Sequence, residues 1–568
     1  MTNSKHTGKV LVLGADFKNY RSCLTIIRSL GRYNLQVHIG WYQASDAALH
    51  SRYVSKAHDI PSYSPDDDAW KTELTTLIEK EKYDLVVPVN EQASKPLEEH
   101  RQEFEKYPGV YLLNKKAYDI AFNKIKTGEL AKMLNICIPN ERKVKDLSQI
   151  DAIIDEFKFP VVLKPTASFG LKNLQKKLYV YKAYSRDELK TILNHLLYYG
   201  DVLAQENFIG TGVGIEFIAS QGKILFAFEH IRIHEPLMGG GSSYRKSASP
   251  HPELLEASKK LIKEMDYTGV GMAEFKYNFK TGKWIFLEIN GRFWGSLPLA
   301  AAAGADFPRF LYQMRVENKS DFNQSFKTNL YCRNTIRDFE WIVQNITANK
   351  SDPSKNTLPN YRVFAEIFNV LSLRERNDTW VIDDPMPGMR ELGRLIIVAA
   401  KIIRSALIDY MPWRWYRSYK ARRMIYKAKS VLFVCYGNIY RSPFAHYYAK
   451  TVFPNSVMIN STGYFPRDKR RCHERAVDIA LELGADMSEH RSSIITQEMV
   501  DKADIILVFD RYNRQTIIDK FPSAARKIYY TGALSYKGTV IINDPVMGNL
   551  YTVREIYKAI KRAIDSIW

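Results

Sequence analysis

The feature of this chain that most constrains its fold and its chemistry is the segment CYGNIYRSP at 435–443, directly after the apolar run SVLFV. The pattern predicts a buried strand, a short loop and then a helix that has Pro443 in its first turn. Consecutive backbone N–H groups in such a loop converge on one point and, together with the helix N-terminus, bind an anion. Arg441 can hold two phosphoryl oxygens, and this positive field is expected to lower the pKa of the Cys435 thiol. The segment therefore predicts a phosphate site with a cysteine nucleophile.

The rest of the C-terminal segment offers the acid that this chemistry needs. A departing oxygen must take up a proton, and Asp544, followed by Pro545, comes after an apolar strand-like run. Between Cys435 and Asp544 lie the motifs STG, ALELGADMSEHRSS and ADIILVFDRYN. In this order the motifs resemble the low-molecular-weight protein tyrosine phosphatase family over essentially all of 430–568.

That resemblance implies a four-stranded parallel α/β domain over 429–568 that needs no metal. Cys435 would be the nucleophile and Arg441 the phosphate clamp. Asn438 would brace the loop, and Ser442 would stabilise the thiolate. Asp544 would act first as general acid and then as the base for hydrolysis of the cysteinyl phosphate.

Two departures from the family pattern bear on the substrate. Tyr440 stands where members often carry a second cysteine, so a protective disulfide within the loop is not expected. Val546 and Met547 replace the paired tyrosines that help to grip a phosphoaryl group, so a preference for phosphotyrosine stays open. Arsenate reduction is a related alternative, and it rests on Cys472 alone.

The beginning of the chain alternates strand-like and helix-like segments. KVLVLGA, QVHIGWY and DLVVPVNE read as strands, and LTIIRSLGRYN reads as a helix between the first two. This order predicts an open α/β sheet. Gly14 lacks the further glycines of a dinucleotide fingerprint, so NAD binding is not expected.

Basic side chains and a strand-to-turn segment in the middle of the chain suggest a nucleotide site. Lys124 and Lys164 are well separated in sequence, and Lys164 ends a strand-like run before Pro165. Lysines so placed can clamp a polyphosphate, although a surface position is the plainer interpretation of each. The segment QENFIG at 205–210 follows a strand and can present backbone groups to an adenine edge.

A pair of acidic strands gives the strongest signal of this region. AEFKYN and FLEINGR read as neighbouring antiparallel strands, so that Glu288 and Asn290 share one face, close to Glu274. Two carboxylates and an amide on one face are the hard oxygen ligands that suit Mg²⁺, or Mn²⁺, bound with phosphate oxygens. Arg292 follows and is expected to bind the transferred phosphoryl group.

Residues 115 to 310 resemble the ATP-grasp superfamily, and in particular members similar to the carbamoyl-phosphate synthase large chain. The motifs that carry the resemblance are LEINGRFWGS, HIRIHEP and GGGSS. Such enzymes activate a carboxylate as an acyl phosphate and pass it to an amine or another nucleophile. The implied ligands are Lys124 and Lys164 for the ATP phosphates, Gln205, Glu206 and Phe208 for the adenine hinge, and Glu274, Glu288 and Asn290 for magnesium.

The same resemblance places the acceptor region near His230, Arg232 and glycines 239–241. Arg232 would polarise the acyl phosphate, with a structural salt bridge as the equal alternative. The phosphate flap TASFG is poor in glycine, and Glu216 is the one candidate for the acid that contacts ribose.

Positive charge is concentrated before the C-terminal domain. The net charge is +20, and 390–429 holds eleven Lys or Arg against two Asp or Glu. Together with Trp413 and Trp415, the apolar stretch 392–408 suits an interfacial helix, which would give peripheral membrane contact. A helix that packs between domains with a solvated basic face is the alternative. No nucleic acid partner is expected.

The predicted fold class is multidomain α/β. It comprises an N-terminal α/β domain over 1–114, an ATP-grasp α+β domain over 115–320, a helical basic linker over 321–428 and the phosphatase-like domain over 429–568. Five scattered cysteines, a polar N-terminus and no uncharged apolar run of about 18 residues predict a cytoplasmic protein, with the inner face of the membrane as the alternative.

These features together predict a bifunctional enzyme. One half would be an ATP- and Mg²⁺-dependent ligase of a carboxylate and an amine, neither of which the sequence identifies. The other half would hydrolyse a phosphomonoester or a phosphotyrosine protein. The alternative is a regulatory tyrosine phosphatase of a cell-surface polysaccharide system whose ATP-grasp half senses nucleotide.

Overall fold

The structure is a computed structural model that forms two compact units, Met1–Leu395 and Ile396–Trp568. It describes residues 8–14, 20–42, 46–166, 169–170, 173–177, 180–197, 199–237, 240–347, 357–393, 396–397, 400, 411–544 and 550–567. Within these ranges, no helix combines the length and the apolar character that crossing a lipid bilayer requires.

The first unit begins with a four-stranded parallel sheet whose strand order is β3-β2-β1-β4. Its strands are β1 (Lys9–Leu13), β2 (Gln36–Gly40), β3 (Val54–His58) and β4 (Leu85–Pro88). Its helices are α1 (Tyr20–Arg32), α2 (Ala69–Glu81), α3 (Glu91–Glu99) and α4 (Arg101–Phe104). β1 and β4 are continuous apolar runs because helices cover both faces of a parallel sheet. The predicted open α/β sheet is confirmed.

A second, antiparallel sheet of four strands follows in the order β5-β10-β6-β9. Its strands are β5 (Glu141–Val144), β6 (Val161–Pro165), β9 (Tyr181–Ala183) and β10 (Val202–Gln205). The helices of this region are α5 (Lys115–Ala121), α6 (Lys124–Met133), α7 (Ile150–Glu156) and α8 (Arg186–Leu196). Between β6 and β9, the short hairpin of β7 (Phe169–Gly170) and β8 (Asn173–Lys177) occupies the position of the predicted phosphate flap.

The largest sheet of the first unit has seven strands in the order β15-β14-β11-β12-β13-β16-β17. They are β11 (Thr211–Ser220), β12 (Lys223–His234), β13 (Tyr244–Ala248), β14 (Gly269–Tyr277), β15 (Trp284–Asn290), β16 (Tyr331–Arg333) and β17 (Glu375–Asn377). The accompanying helices are α9 (Pro252–Glu264), α10 (Leu297–Ala303), α11 (Phe307–Arg315), α12 (Thr335–Thr347), α13 (Asn360–Ala365) and α14 (Ile367–Leu371). The predicted antiparallel pairing of the two acidic strands corresponds to β14 and β15.

The structure differs here from the predicted helical linker over 321–428. β16 and β17 extend the seven-stranded sheet, so the chain up to Leu395 belongs to the first compact unit. Buried ion pairs fasten this region to earlier elements: Asp378 pairs with Arg245, and Asp384 pairs with Arg28 at 2.8 Å. Strands of three residues are too short to show a hydrophobic period, which is why the sequence pattern missed them.

The second unit contains a four-stranded parallel sheet in the order β19-β18-β20-β21, which confirms the predicted topology. The strands are β18 (Ser430–Cys435), β19 (Met458–Gly463), β20 (Ile505–Val508) and β21 (Ile528–Tyr530). The helices are α15 (Met411–Ile425), α16 (Arg441–Val452), α17 (Glu474–Glu482), α18 (Gln497–Lys502), α19 (Arg511–Lys520) and α20 (Leu550–Asp565). α16 and α20 pack on each other through the stacked rings of Phe444 and Tyr557.

Helix α15, in the basic segment 390–429, packs onto the second unit. Ala421 and Ile425 are buried in its core, and the Ser418 hydroxyl donates to the Ser535 carbonyl at 3.1 Å. The opposite face exposes Trp415 and Tyr419. α15 is therefore part of the second unit, with its other face exposed. Most of 392–408, on which the interfacial-helix hypothesis rests, lies outside the described residues.

Candidate active sites

The cysteine loop joins β18 to α16, at the carboxyl end of a strand that has parallel neighbours on both sides. Cys435 is the last residue of β18 and is 3% exposed. Its Sγ lies 3.0 Å from the Ser442 hydroxyl and accepts a hydrogen bond from the Asn438 backbone N–H at 3.2 Å. A thiolate here would accept hydrogen bonds from the Ser442 hydroxyl and the Asn438 backbone N–H.

Asn438 organises the loop from its centre. Its side-chain amide donates to the hydroxyls of Ser442 at 2.9 Å and Ser461 at 3.1 Å. Its side-chain oxygen accepts from the Ser493 backbone N–H at 2.9 Å. The residue is fully buried, and its φ of 50° lies in the left-handed region, which asparagine tolerates better than most residues. These contacts agree with the predicted bracing role.

Gly463, at the end of β19, lets the loop approach the sheet closely. A Cβ at this position would lie 2.7 Å from the Tyr436 carbonyl oxygen and 3.0 Å from the Asn438 side chain. The STG motif thus has a steric reason, because any larger residue would push the loop away from β19.

Arg441 begins α16 and is fully buried, with its guanidinium directed at acidic partners. It donates to Asp510 at 2.6 Å and to the Ile542 carbonyl at 2.9 Å, and it also contacts Asp544. Although burial alone would lower it, the pKa of Arg441 is raised because Cys435, Asp544 and Asp510 surround the guanidinium. Cys435, Arg441 and the candidate acid Asp544 therefore lie in one cluster.

Asp544 is more exposed than the other members of this cluster, and its side chain retains about a third of its accessible surface. A general acid must reach the leaving group, so partial exposure suits the predicted role. Val546 and Met547, on which the substrate preference depends, lie outside the described residues.

The predicted metal ligands of the first unit meet on β14 and β15. Glu274 and Glu288 are direct cross-strand partners, and Asn290 lies opposite Met272 on the same ladder. The Asn290 amide donates to Glu274 at 3.2 Å. Oxygen atoms of two carboxylates and an amide are thereby gathered at the end of the hairpin, which is a donor set of the kind that binds Mg²⁺.

Two lysines from different elements converge on Glu288. The Nζ atoms of Lys124 and Lys164 lie 3.9 Å and 3.7 Å from its Oε2. Lys164 is on β6 of the four-stranded sheet, and it also donates to the Leu287 carbonyl at 3.3 Å, so it reaches from one sheet to the other. Burial raises the pKa of Glu288, but Lys164, Lys124 and Arg292 outweigh it and lower that pKa to about 2. Glu288 is therefore ionised at neutral pH, as a metal ligand must be.

The predicted adenine hinge lies at the end of β10. Gln205 donates to Glu141 at 2.7 Å, and Glu206 accepts from the Asn140 backbone N–H at 3.1 Å. The Phe208 carbonyl accepts from Lys276 at 3.2 Å. A groove lined by 138–141, 156–160 and part of 206–209 opens beside this segment. Gln205, Glu206 and Phe208 thus lie in one segment that continues from β10, the strand that pairs with β6 and its Lys164.

Arg232 on β12 connects the carboxylate cluster to a small polar cavity. Its guanidinium contacts Glu274 and lies 3.3 Å from Glu235. The residues that line the cavity are Arg21, Ser22, His230, Arg232, Gly241, Ser242, Met272, Gly295, Ser296, Asn334 and Arg337. Three arginines and no carboxylate line it, so the cavity suits an anion. Of the predicted acceptor region, His230 and Arg232 both line this cavity, whereas Gly239 lies outside the described residues.

Glu216 is wrong as the ribose-contacting acid. It is fully buried in β11, where it accepts from the Ser296 hydroxyl at 2.6 Å and lies 2.7 Å from His230 Nδ1. Glu216 therefore orients His230, which lines the polar cavity, and is too deeply buried to contact a nucleotide.

Sequence reasoning missed Asp510, Arg21 and Arg337. Asp510 follows the apolar strand β20, which is a parallel neighbour of β18, so its convergence with Cys435 could have been inferred from strand order. Its second oxygen caps α19 by accepting from Asn513 N at 2.7 Å. Arg21 and Arg337 come from α1 and α12, and no local pattern relates them to the cavity.

Comparison with known proteins separates the two halves of the chain. The family model for low molecular weight phosphotyrosine protein phosphatase matches residues 430–568. The model for the carbamoyl-phosphate synthase L chain, ATP binding domain, matches residues 247–321. A probable low molecular weight protein-tyrosine-phosphatase, EpsP, of Ralstonia nicotianae is 31% identical over 24% of this chain and 92% of its own length.

The first unit is similar to other proteins. A D-aspartate ligase of Enterococcus faecium is 21% identical over 56% of this chain and 79% of its own length. The crystal structure of an L-amino acid ligase from Bacillus licheniformis aligns with a TM-score of 0.43 and 14% identity, over 55% of this chain and 75% of that one.

Proposed function

Because the chain belongs, through residues 430–568, to the low molecular weight phosphotyrosine protein phosphatase family and carries an ATP-grasp, ligase-like N-terminal half, we propose that each half runs its own reaction at the cluster described above. The hydrolytic site is built on Cys435, and the ligase site is built on Glu288. The observation that carries the first assignment is the contact of Cys435 with the Asn438 N–H and the Ser442 hydroxyl.

In the hydrolytic reaction, the Cys435 thiolate attacks phosphorus and the bond from phosphorus to the ester oxygen breaks. Asp544 gives its proton to that oxygen as it leaves. Arg441 and the loop N–H groups hold the non-bridging oxygens, whose charge grows as the reaction proceeds. Water then attacks the cysteinyl phosphate and passes a proton to Asp544, which releases inorganic phosphate and restores the thiolate. Ser442 stabilises that thiolate as the leaving group.

The substrate class of this half is a phosphomonoester, and a phosphotyrosine protein is the proposed natural form. The family and the exposed Tyr436 ring beside the loop support an aryl phosphate. Tyr436 packs edge-on against Phe465 at 5.4 Å, which makes an aromatic wall next to the anion site.

Replacement of the nucleophile tests this assignment. Cys435→Ser should abolish hydrolysis of an aryl phosphate, because a serine hydroxyl is not ionised at neutral pH and is a much weaker nucleophile than a thiolate. Cys472→Ser is the matched control and should keep wild-type activity. Full activity in Cys435→Ser would refute the assigned nucleophile, and loss of activity in Cys472→Ser would favour a relay between the two cysteines.

In the ligase half, Glu274, Glu288 and Asn290 would hold Mg²⁺. The donor set fits, because the two carboxylates meet across one pair of strands and Glu288 stays ionised. The metal would neutralise the charge of the ATP phosphates, which is the chemistry that it supplies to phosphoryl transfer. Lys124 and Lys164 would bind phosphate oxygens, and Arg292 would stabilise the transferred group. The segment with Gln205, Glu206 and Phe208 would receive the adenine.

The ligase reaction would activate a carboxylic acid as an acyl phosphate, which an amine then displaces. Arg232 touches both Glu274 and the polar cavity, so it is the proposed residue that polarises the acyl phosphate. Three arginines line the cavity, which favours an acid that carries a further anionic group. The similarity to a D-aspartate ligase supports an acidic amino acid as that acid.

Loss of the metal set tests the ligase assignment. Wild-type protein should turn over ATP in the presence of the right acid and amine, and Glu288→Gln should abolish this turnover. Glu256→Gln on the exposed face of α9 is the control and should leave it unchanged. Turnover that survives in Glu288→Gln would refute the site. The paired carboxylates also favour catalysis over the alternative of a nucleotide sensor in a regulatory phosphatase.

A further inference from the structure

A stripe of exposed apolar side chains runs along helices α13 and α14. Tyr361, Phe364, Phe368 and Leu371 are exposed by 69%, 72%, 67% and 70%. Their spacing of three, four and three residues places them on one side of a helical segment that only Glu366 interrupts. We call these four residues the apolar stripe. Leu373, which is 76% exposed, continues it beyond the helix.

The polar side of the same two helices faces into the protein. Glu366 pairs with Arg333 at 2.9 Å and with His234 at 2.8 Å. The Asn369 side chain donates to the Tyr244 hydroxyl at 3.0 Å. An amphipathic helix on a soluble protein normally turns its apolar side inward. Here polar contacts hold the helices in the opposite orientation, so the apolar stripe is fixed on the surface.

The charge around the apolar stripe is positive. Arg362, Arg374 and Arg376 are exposed. By contrast, each carboxylate of 360–393 has a basic partner within the unit; these pairs are Glu366 and Glu375 with Arg333, Asp378 with Arg245, Asp383 with Arg32, Asp384 with Arg28 and Glu391 with Arg21. Within 360–393, exposed aromatic and aliphatic side chains therefore lie among exposed arginines, and the carboxylates of that segment pair with other basic residues.

We propose that the apolar stripe is the surface through which the first unit binds an anionic lipid bilayer. Aromatic and leucine side chains at helical spacing enter the boundary between headgroups and acyl chains. Exposed arginines then lie at the level of the lipid phosphates, which carry the opposite charge. A second copy of the chain would bring the same positive charge to the contact, so complementarity favours the bilayer. This surface is distinct from the segment 390–429 and from both active sites.

Vesicle flotation of the full-length protein tests the proposal. Wild-type protein should float with vesicles that mix phosphatidylglycerol and phosphatidylcholine, and should float less with pure phosphatidylcholine. The double variant Phe364→Ser and Phe368→Ser should reduce the bound fraction about tenfold or more, because two rings no longer leave water. Leu481→Ser is the matched control: Leu481 is 61% exposed on α17 of the second unit, and its loss should not change flotation.

A charge variant and two further measurements complete the test. Arg362→Glu with Arg374→Glu should weaken flotation with the anionic vesicles while the apolar stripe stays intact. ATP turnover and aryl phosphate hydrolysis should be unchanged in every variant, which shows that each is folded. The proposal is overturned if wild-type protein does not float, or if the double serine variant floats like wild type. It is also overturned if light scattering without vesicles shows a dimer that the double variant disrupts.

Discussion

Asn438 offers the sharpest test of how the cysteine loop is held. Two substitutions separate its two contributions: Asn438→Ala removes the side chain and keeps a Cβ, whereas Asn438→Gly removes both. The Ala variant loses three hydrogen bonds: two that the amide group donates to the Ser442 and Ser461 hydroxyls, and one that its oxygen accepts from the Ser493 backbone N–H. It also places alanine in the left-handed region, where the backbone is strained.

The expected magnitudes follow from these contacts. Each lost hydrogen bond costs about 1 kcal/mol, and alanine in the left-handed region costs about 1–2 kcal/mol. Asn438→Ala should therefore lower the free energy of unfolding of the second unit by about 3–5 kcal/mol, and Asn438→Gly by about 1–2 kcal/mol less. Because the Asn438 N–H is itself aimed at Cys435, kcat/KM for an aryl phosphate should fall about 100-fold in the Ala variant and less in the Gly variant.

The assay combines steady-state hydrolysis with hydrogen exchange of peptides from 430–463 in increasing urea. Asn455→Ala, at an exposed position, is the control and should match wild type in both measurements. Equal stability of the Ala and Gly variants would refute the predicted cost of placing alanine in the left-handed region. If both kept wild-type kcat/KM, the bracing role would be refuted.

Two further predictions concern buried ionisable side chains, Arg28 in the first unit and His446 in the second. Arg28→Met should lower the free energy of unfolding of the first unit by about 3–5 kcal/mol in urea denaturation, because Asp384 stays buried without its cation; a loss below about 1 kcal/mol would contradict this. Burial, with Lys450 and His490 nearby, lowers the pKa of His446 to about 3 from an ordinary value of 6.5. Only the unfolded state then takes up this proton between those values, so wild-type stability should fall by about 2 kcal/mol from pH 7 to pH 5, and His446→Gln should lack this part of the slope. Equal slopes by hydrogen exchange of 441–452 would refute it.

The features that the sequence predicted correctly are those in which neighbouring residues determine the outcome. The loop from Cys435 to Arg441 is one continuous segment, and β14 and β15 form a hairpin, so their sequence order makes the two acidic strands neighbours; a register shift between Glu274 and Phe275 then sets Glu274 opposite Glu288. The parallel sheets followed from apolar runs separated by helical segments. In each case local patterns agree with the final fold.

The features that escaped prediction depend on contacts between distant residues. Arg441 takes Asp510 as a partner from a different element, across many intervening residues. A salt bridge of Arg232 was one of its two predicted roles, but the sequence does not identify Glu274 as its partner. Glu216 looked available because its position in a strand does not reveal that helices and strands cover both faces of that strand. β16 and β17 join the large sheet only because partners elsewhere in the unit hold them there.

The inward carboxylates near the end of the first unit also define where this gene can be divided. A fragment that stops at 320 would leave Arg245 and Arg28 in the interior without the counter-ions that Asp378 and Asp384 provide. Recombination that exchanged the phosphatase for another module would therefore succeed at the junction near 395 and fail upstream of it. The last strands of the seven-stranded sheet thus make the first unit one block that extends to about residue 395, although the residues that line its polar cavity end at Arg337.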